Sequence, residues 1–106
     1  MMSYSKTNYE DVEPRAPSMY FLRDALNCEN LGVTVIDADE GWEGMEHNHA
    51  DDDHEEVYAL LEGSGQITVE NEEIALAPGD TIRVASDATR ELSFDEDSTM
   101  VIAGAP

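Results

Sequence analysis

Cysteine occurs once in this chain, at Cys28, and lysine once, at Lys6. A lone thiol cannot close an internal disulfide, so the fold has to hold by burial, and a reducing compartment suits it. Only five residues are basic against 25 acidic ones, giving a net charge of −20. Nucleic acid and anionic membrane surfaces are therefore excluded as partners, since their phosphates would be repelled. No window is apolar for the length a membrane span needs. The opening residues, MMSYSKTNYEDVEPRAP, lack the apolar core of a secretory leader. The expectation is a soluble, cytoplasmic protein.

What is present is enough for one modest core. The 106 residues are 41% hydrophobic, which fits a single domain and not two. Charge of this size usually signals disorder, but here the acids are interleaved with regular apolar alternation and coat the turns. A surface of this kind suits a salt-rich cytoplasm, where molar salt shortens the screening length to roughly 3 Å and self-repulsion fades. That habit resembles the proteins of extreme halophiles. A nucleic-acid mimic would concentrate its acids in one periodic stripe, which these do not form.

Residues 1–18 are polar and carry Pro14 and Pro17, so they read as an extended arm laid on the body or on a partner subunit. From residue 19 to 106 the chain reads as one domain. Met19 to Leu22 is an apolar patch suited to a first strand, with a short turn of helix through Asp24-Ala25-Leu26. Strands are then expected at Leu31–Ile36, Glu43–His49, Glu56–Leu61, Gln66–Val69, Glu72–Leu76, Thr81–Val84, Arg90–Phe94 and Thr99–Ala103. Glu56–Leu61 is apolar on both faces, as in a strand buried on both sides. Glu70-Asn71 separates two alternating runs and reads as a two-residue hairpin turn. Short strands at even spacing with turn chemistry between them indicate an all-β barrel or double-sheet sandwich.

All three histidines, His47, His49 and His54, fall between Gly41 and Gly63. His47 and His49 are two apart, so on a strand both imidazoles leave the same face. If the Glu56 strand lies nearby, its carboxylate can join them. Two histidines and a carboxylate with open positions suit divalent iron or manganese. Each residue also has a plainer reading: two half-buried histidines bonded to neighbours, and an exposed acid opening a strand. His54 reads as a solvated loop residue, with a replacement ligand as the alternative should the longer loop fold it inward. The run Asp51-Asp52-Asp53 reads as solvated surface, because the spacing of an EF-hand calcium loop is absent.

The stretch GWEGMEHNHADDDHEEVYALLEG resembles the first motif of the cupin superfamily: a glycine, five residues, His-x-His, a short gap, a glutamate, six residues and a glycine. It departs from the family in its gap, which holds six residues between His49 and Glu56 where three or four are usual. The Asp-rich loop thus resembles a small insertion. Glu55 would shorten the gap but breaks the spacing to Gly63 and lies on the opposite strand face. Leu76-Ala77-Pro78-Gly79-Asp80-Thr81-Ile82-Arg83-Val84 is similar to the start of the second motif. Beyond it, Arg90 stands where the family supplies a fourth metal ligand, a histidine.

The resemblance covers Leu31 to Ala103 and implies a cupin-type double-stranded jelly-roll barrel. It also implies a divalent metal (iron, manganese, nickel or zinc, or none at all) held by His47, His49 and Glu56. Arginine cannot replace the missing ligand, since it remains protonated and offers only donors. The alternation of Arg90 with Leu92 and Phe94 nevertheless turns it inward, where a guanidinium needs an anion. Two arrangements stay open. Arg90 and Tyr58 can contact a small anionic ligand beside the metal, or Arg90 can pair with Glu56 in a metal-free binding or structural protein. Family members include dioxygenases, isomerases, decarboxylases, sugar-binding modules and storage proteins, so whether this chain is an enzyme is not decided. Cupin barrels commonly pair, and the doubly apolar strand with the arm implies a homodimer.

Overall fold

Turn chemistry divides the chain as the alternation suggests, and the all-β expectation holds. A computed structural model describes residues 3–106; Met1 and Met2, the first two residues of the expected arm, lie outside the described residues. Eight strands follow a single 3-10 turn at Tyr9–Asp11: β1 (Met19–Phe21), β2 (Gly32–Ala38), β3 (Glu55–Glu62), β4 (Gly65–Val69), β5 (Glu72–Leu76), β6 (Thr81–Val84), β7 (Arg90–Phe94) and β8 (Ser98–Ala105). They form a five-stranded sheet in the order β1-β2-β8-β3-β6 and a three-stranded sheet in the order β5-β4-β7. Every pairing is antiparallel.

The core lies between the two sheets. Ile36, Leu60 and Met100 from one sheet meet Ile67, Leu92 and Phe94 from the other. Strict alternation puts them there: β8 is buried at every second residue and β7 buries Arg90, Leu92 and Phe94. Each fully buried aliphatic side chain contributes about 1.5–3 kcal/mol. The β4–β5 connection is the expected two-residue turn. Glu70 and Asn71 both take positive φ, 47° and 68°, whose twist matches that of the flanking strands.

Three expectations need correction. The segment holding the histidines is not a regular strand, because it meets β7 only at the isolated bridges Glu43↔Ser93 and His47↔Arg90. Three residues lie between Glu43 and His47 where two lie between Arg90 and Ser93, so one extra residue bulges out, and Met45 is 86% exposed there. The outer face of β3 is not buried: Val57 is 41% and Leu61 54% exposed. Leu61 falls at a register shift between β3 and β8, which turns it outward. Finally, Asp24 to Leu26 makes a hydrogen-bonded turn (Leu26 N–H to the Leu22 carbonyl, 2.9 Å) without becoming a helix.

The residues ahead of β1 lie against the body. Tyr9 packs edge-on against Tyr20, with ring centroids 5.3 Å apart, and donates its hydroxyl to Asp37 Oδ2 at 3.0 Å. The Trp42 indole N–H donates to the Pro17 carbonyl at 3.2 Å. No helix among the described residues is long and apolar enough to cross a membrane.

Candidate metal centre

The irregular segment runs along the free edge of β7, where His47 and Arg90 exchange backbone hydrogen bonds of 2.9 Å in both directions. The bulge at Met45 and the turn after His49 set the two imidazoles side by side, 5.1 Å between centroids and nearly perpendicular. Glu56 reaches them from β3. Its Oε1 lies 3.3 Å from His49 Nε2 and 4.0 Å from His47 Nε2. One ligand atom from each of the three residues falls within 4.8 Å of the others. Metal–nitrogen bonds are about 2.0–2.1 Å long, so neighbouring ligands on one ion stand roughly 3–3.4 Å apart. The three side chains need only small adjustments to share an ion. Glu55 points elsewhere and pairs with Arg83 at 2.6 Å.

The donor set is chemically suited to a cation. His47 Nδ1 is 3.0 Å from the Met45 carbonyl, which can only accept, so Nδ1 carries the hydrogen. His49 Nδ1 is 3.1 Å from Asp52 Oδ2, again an acceptor. His47 therefore leaves Nε2 free to ligate, while His49 stands between two carboxylates, Asp52 at Nδ1 and Glu56 3.3 Å from Nε2, so an ion seated between His49 and Glu56 would take the place of the hydrogen that bridges them. Tyr58 is buried on the same strand face as Glu56 and donates its hydroxyl to Glu56 Oε1 at 2.8 Å. Burial, then the Glu56 charge and that hydrogen bond, hold the Tyr58 phenol far above its ordinary value, so it remains a donor at any working pH.

Arg90 is 1% exposed, and its Nη2 donates to the Ala85 carbonyl at 3.0 Å. Its Nε and Nη1 have no acceptor. No carboxylate among the described residues comes within ion-pair range of it, and Glu56 turns to the histidines instead. The arrangement in which Glu56 pairs with Arg90 is thus not the one found. The nearby carboxylate is already engaged by Tyr58 and the imidazoles, leaving a buried positive charge uncompensated.

Two cavities meet at this point. The larger, about 560 Å³, is walled by Met19, Phe21, Ile36, Trp42, Leu92 and Ile102, with Thr34, Glu43, His47, His49, Glu56, Tyr58 and Arg90 among its polar residues. The smaller, about 320 Å³, shares His49 and Glu56 with it and includes Arg15, Arg23, Asp24, Asp52 and His54. Volumes of this order suit small organic ligands.

The acidic loop is exposed from Asp51 to Asp53, as expected, but Asp52 also makes specific bonds. Asp52 bonds His49, and its other oxygen accepts the His54 backbone N–H at 3.1 Å. Those bonds, the ring of His49 first, hold its carboxyl below the usual range. His54 stacks on His49 with centroids 6.0 Å apart, so it is not free in solvent. The only trace of this in the sequence is the three-residue step from His49 to Asp52, which a tight turn can close.

Sequence comparison agrees with the geometry: the profile of the cupin domain family matches residues 34–103. The chain is a cupin. Among solved structures it is similar to a cupin protein from Bacteroides fragilis, with 27% identity over 99% of this chain and 86% of that one, and a TM-score of 0.82. It is also similar to a putative sugar phosphate isomerase from Acidithiobacillus ferrooxidans, with 27% identity and a TM-score of 0.67, covering 83% of this cupin and 58% of that chain. KdgF from a Halomonas species shares the fold, at 20% identity over 94% of this chain and 90% of that one, with a TM-score of 0.75. Among curated proteins none matches in sequence.

Proposed function

We propose that this cupin binds a divalent transition metal through His47, His49 and Glu56 and holds a small anionic molecule beside it. The observation that carries the metal is the convergence of one ring nitrogen each from His47 and His49 with a carboxylate oxygen of Glu56, all within 4.8 Å of one another. When bound, the ion would supply Lewis-acid or oxygen-activating chemistry, with positions left open for a ligand. Tyr58 holds the Glu56 carboxylate in place. Arg90 supplies positive charge at the polar end of an otherwise apolar cavity. Its two nitrogens without acceptors support an anionic ligand, because burial without a partner costs about 1–3 kcal/mol for each unsatisfied group. The likeness to a putative sugar phosphate isomerase makes phosphorylated sugars the first ligands to try.

Metal analysis tests the reading. Protein soaked in manganese, iron, nickel or zinc and then desalted should retain about one equivalent of one of them. Less than roughly a tenth of an equivalent of every ion would remove the proposal. A His47→Ala, His49→Ala double variant should retain none.

We also infer a homodimer. On the outer face of the larger sheet, Val57, 41% exposed, sits opposite Ala103, Ala59 opposite Val101, and Val33 continues the row across β8. A short apolar strip bordered by Glu55 and Asp37, in a chain of net charge −20, favours burial against a second copy.

A further inference from the structure

The gap between His49 and Glu56 is longer than the cupin motif requires, and the extra residues fold into a compact turn. The His49 carbonyl accepts the N–H groups of Asp52 (3.2 Å) and Asp53 (2.9 Å), and Asn48 Oδ1 accepts from Ala50 N–H at 3.1 Å. Asp53 takes positive φ, 56°, to close it. The turn returns the Asp52 side chain onto the ring from which it started. Oδ2 then meets His49 Nδ1 at 3.1 Å, while Oδ1 is tied to the His54 N–H at 3.1 Å. The carboxylate is held at both oxygens and cannot rotate away without breaking a bond.

We propose that Asp52 is a positioning residue for the metal centre: the inserted turn delivers a carboxylate that holds a hydrogen on His49 Nδ1 and so reserves Nε2, on the Glu56 side, for the ion. The inference rests on the metal-binding reading above. A carboxylate behind a ligating histidine orients the ring and raises its basicity, and loss of such a partner typically weakens metal binding about 10–100-fold. The role matters more here than in a four-ligand site. With Arg90 in the fourth position, only three protein side chains hold the ion, and a freely rotating His49 would leave two.

His49, Asp52 and His54 also lie close enough to be considered a metal site themselves. Two facts favour positioning. Both Asp52 oxygens already accept hydrogen bonds, and His49 Nδ1 is engaged with one of them.

The test combines the tautomer of His49 in metal-free protein, read by nitrogen-15 NMR of the imidazole, with manganese and nickel titrations. Wild type should show His49 with hydrogen on Nδ1. Asp52→Ala should shift His49 toward the other tautomer and weaken metal binding about 10–100-fold, leaving the His47 signals in place. Asp52→Asn retains an acceptor oxygen and should keep most of the affinity, which separates loss of the bond from collapse of the turn. His54→Ala keeps its backbone N–H and should bind as wild type does. Wild type that binds metal with an affinity and tautomer unmoved by Asp52→Ala would overturn the assignment of Asp52 alone. A second equivalent of metal in wild type, lost in His54→Ala, would also overturn it by making Asp52 a ligand. Failure of wild type to take up metal would instead overturn the function proposed above.

Discussion

Gly104 faces Glu56 across the β3–β8 pair, and a Cβ added there would come within 3.0 Å of Glu56 Cγ and of the Glu55 carbonyl oxygen. The Glu55 oxygen belongs to the backbone, so the side chain of Glu56 is what must give way. Gly104→Ala should therefore weaken manganese binding by roughly tenfold in a calorimetric titration, while costing only about 1 kcal/mol in urea unfolding. Unchanged metal affinity would mean that Glu56 is not a ligand. Arg90 makes a complementary case. Arg90→Met removes a buried charge with two unpartnered nitrogens and keeps the volume, so stability in phosphate-free buffer should rise by about 1–3 kcal/mol. Added phosphate should stabilise wild type and leave the variant unmoved, by linkage to binding. Equal response in both proteins would dismiss the anionic-ligand reading. Arg90→His should instead complete a four-ligand set and tighten metal binding.

Among the elements, the β4–β5 hairpin depends on two residues at positive φ. Asn71→Gly should stabilise the protein by about 0.5–1 kcal/mol and Asn71→Ala should cost about 1 kcal/mol, both by urea unfolding. The contact between the N-terminal residues and the body is sensitive to alkali. Accepting the Tyr9 hydroxyl, Asp37 raises the Tyr9 phenol above its ordinary 10.0. A group raised in the folded state contributes stability that is complete below pH 10 and is lost as pH climbs through the folded value. The stability difference between wild type and Tyr9→Phe should thus shrink above pH 10; a constant gap would assign Tyr9 a packing role only. Periodicity made most of these elements legible. Alternation located β2 and β4 to β8 to within a few residues, and it chose Glu56 over Glu55 because Glu56 shares a face with Tyr58. It failed where backbone geometry departs from period two. The bulge at Met45 and the register shift at Leu61 each insert one residue into a ladder, and no residue type announces them. The bond from His49 to Asp52 was hidden for another reason: in a run of three aspartates, only the closed turn decides which one returns to the ring.

For the molecule as a whole, charge is the dominant property. With 25 acidic residues and five basic ones, the folded state repels itself in dilute buffer. Adaptation to high salt predicts that the melting temperature climbs steeply between low and molar KCl as screening shortens to about 3 Å. A protein equally stable in both would count against that habitat. The apolar strip on β3 and β8 gives a second whole-molecule test. Val57→Lys should convert a dimer to monomers in sedimentation, with the metal site undisturbed, because residue 57 faces away from it. Finally, His49 and Glu56 belong to the walls of both cavities. The partition between the two chambers is therefore one layer of side chains thick, and that layer is the one proposed to hold the ion. A substitution at either residue should therefore reshape both chambers at once, the mostly apolar one and the one whose wall carries Arg15, Arg23, Asp24 and Asp52.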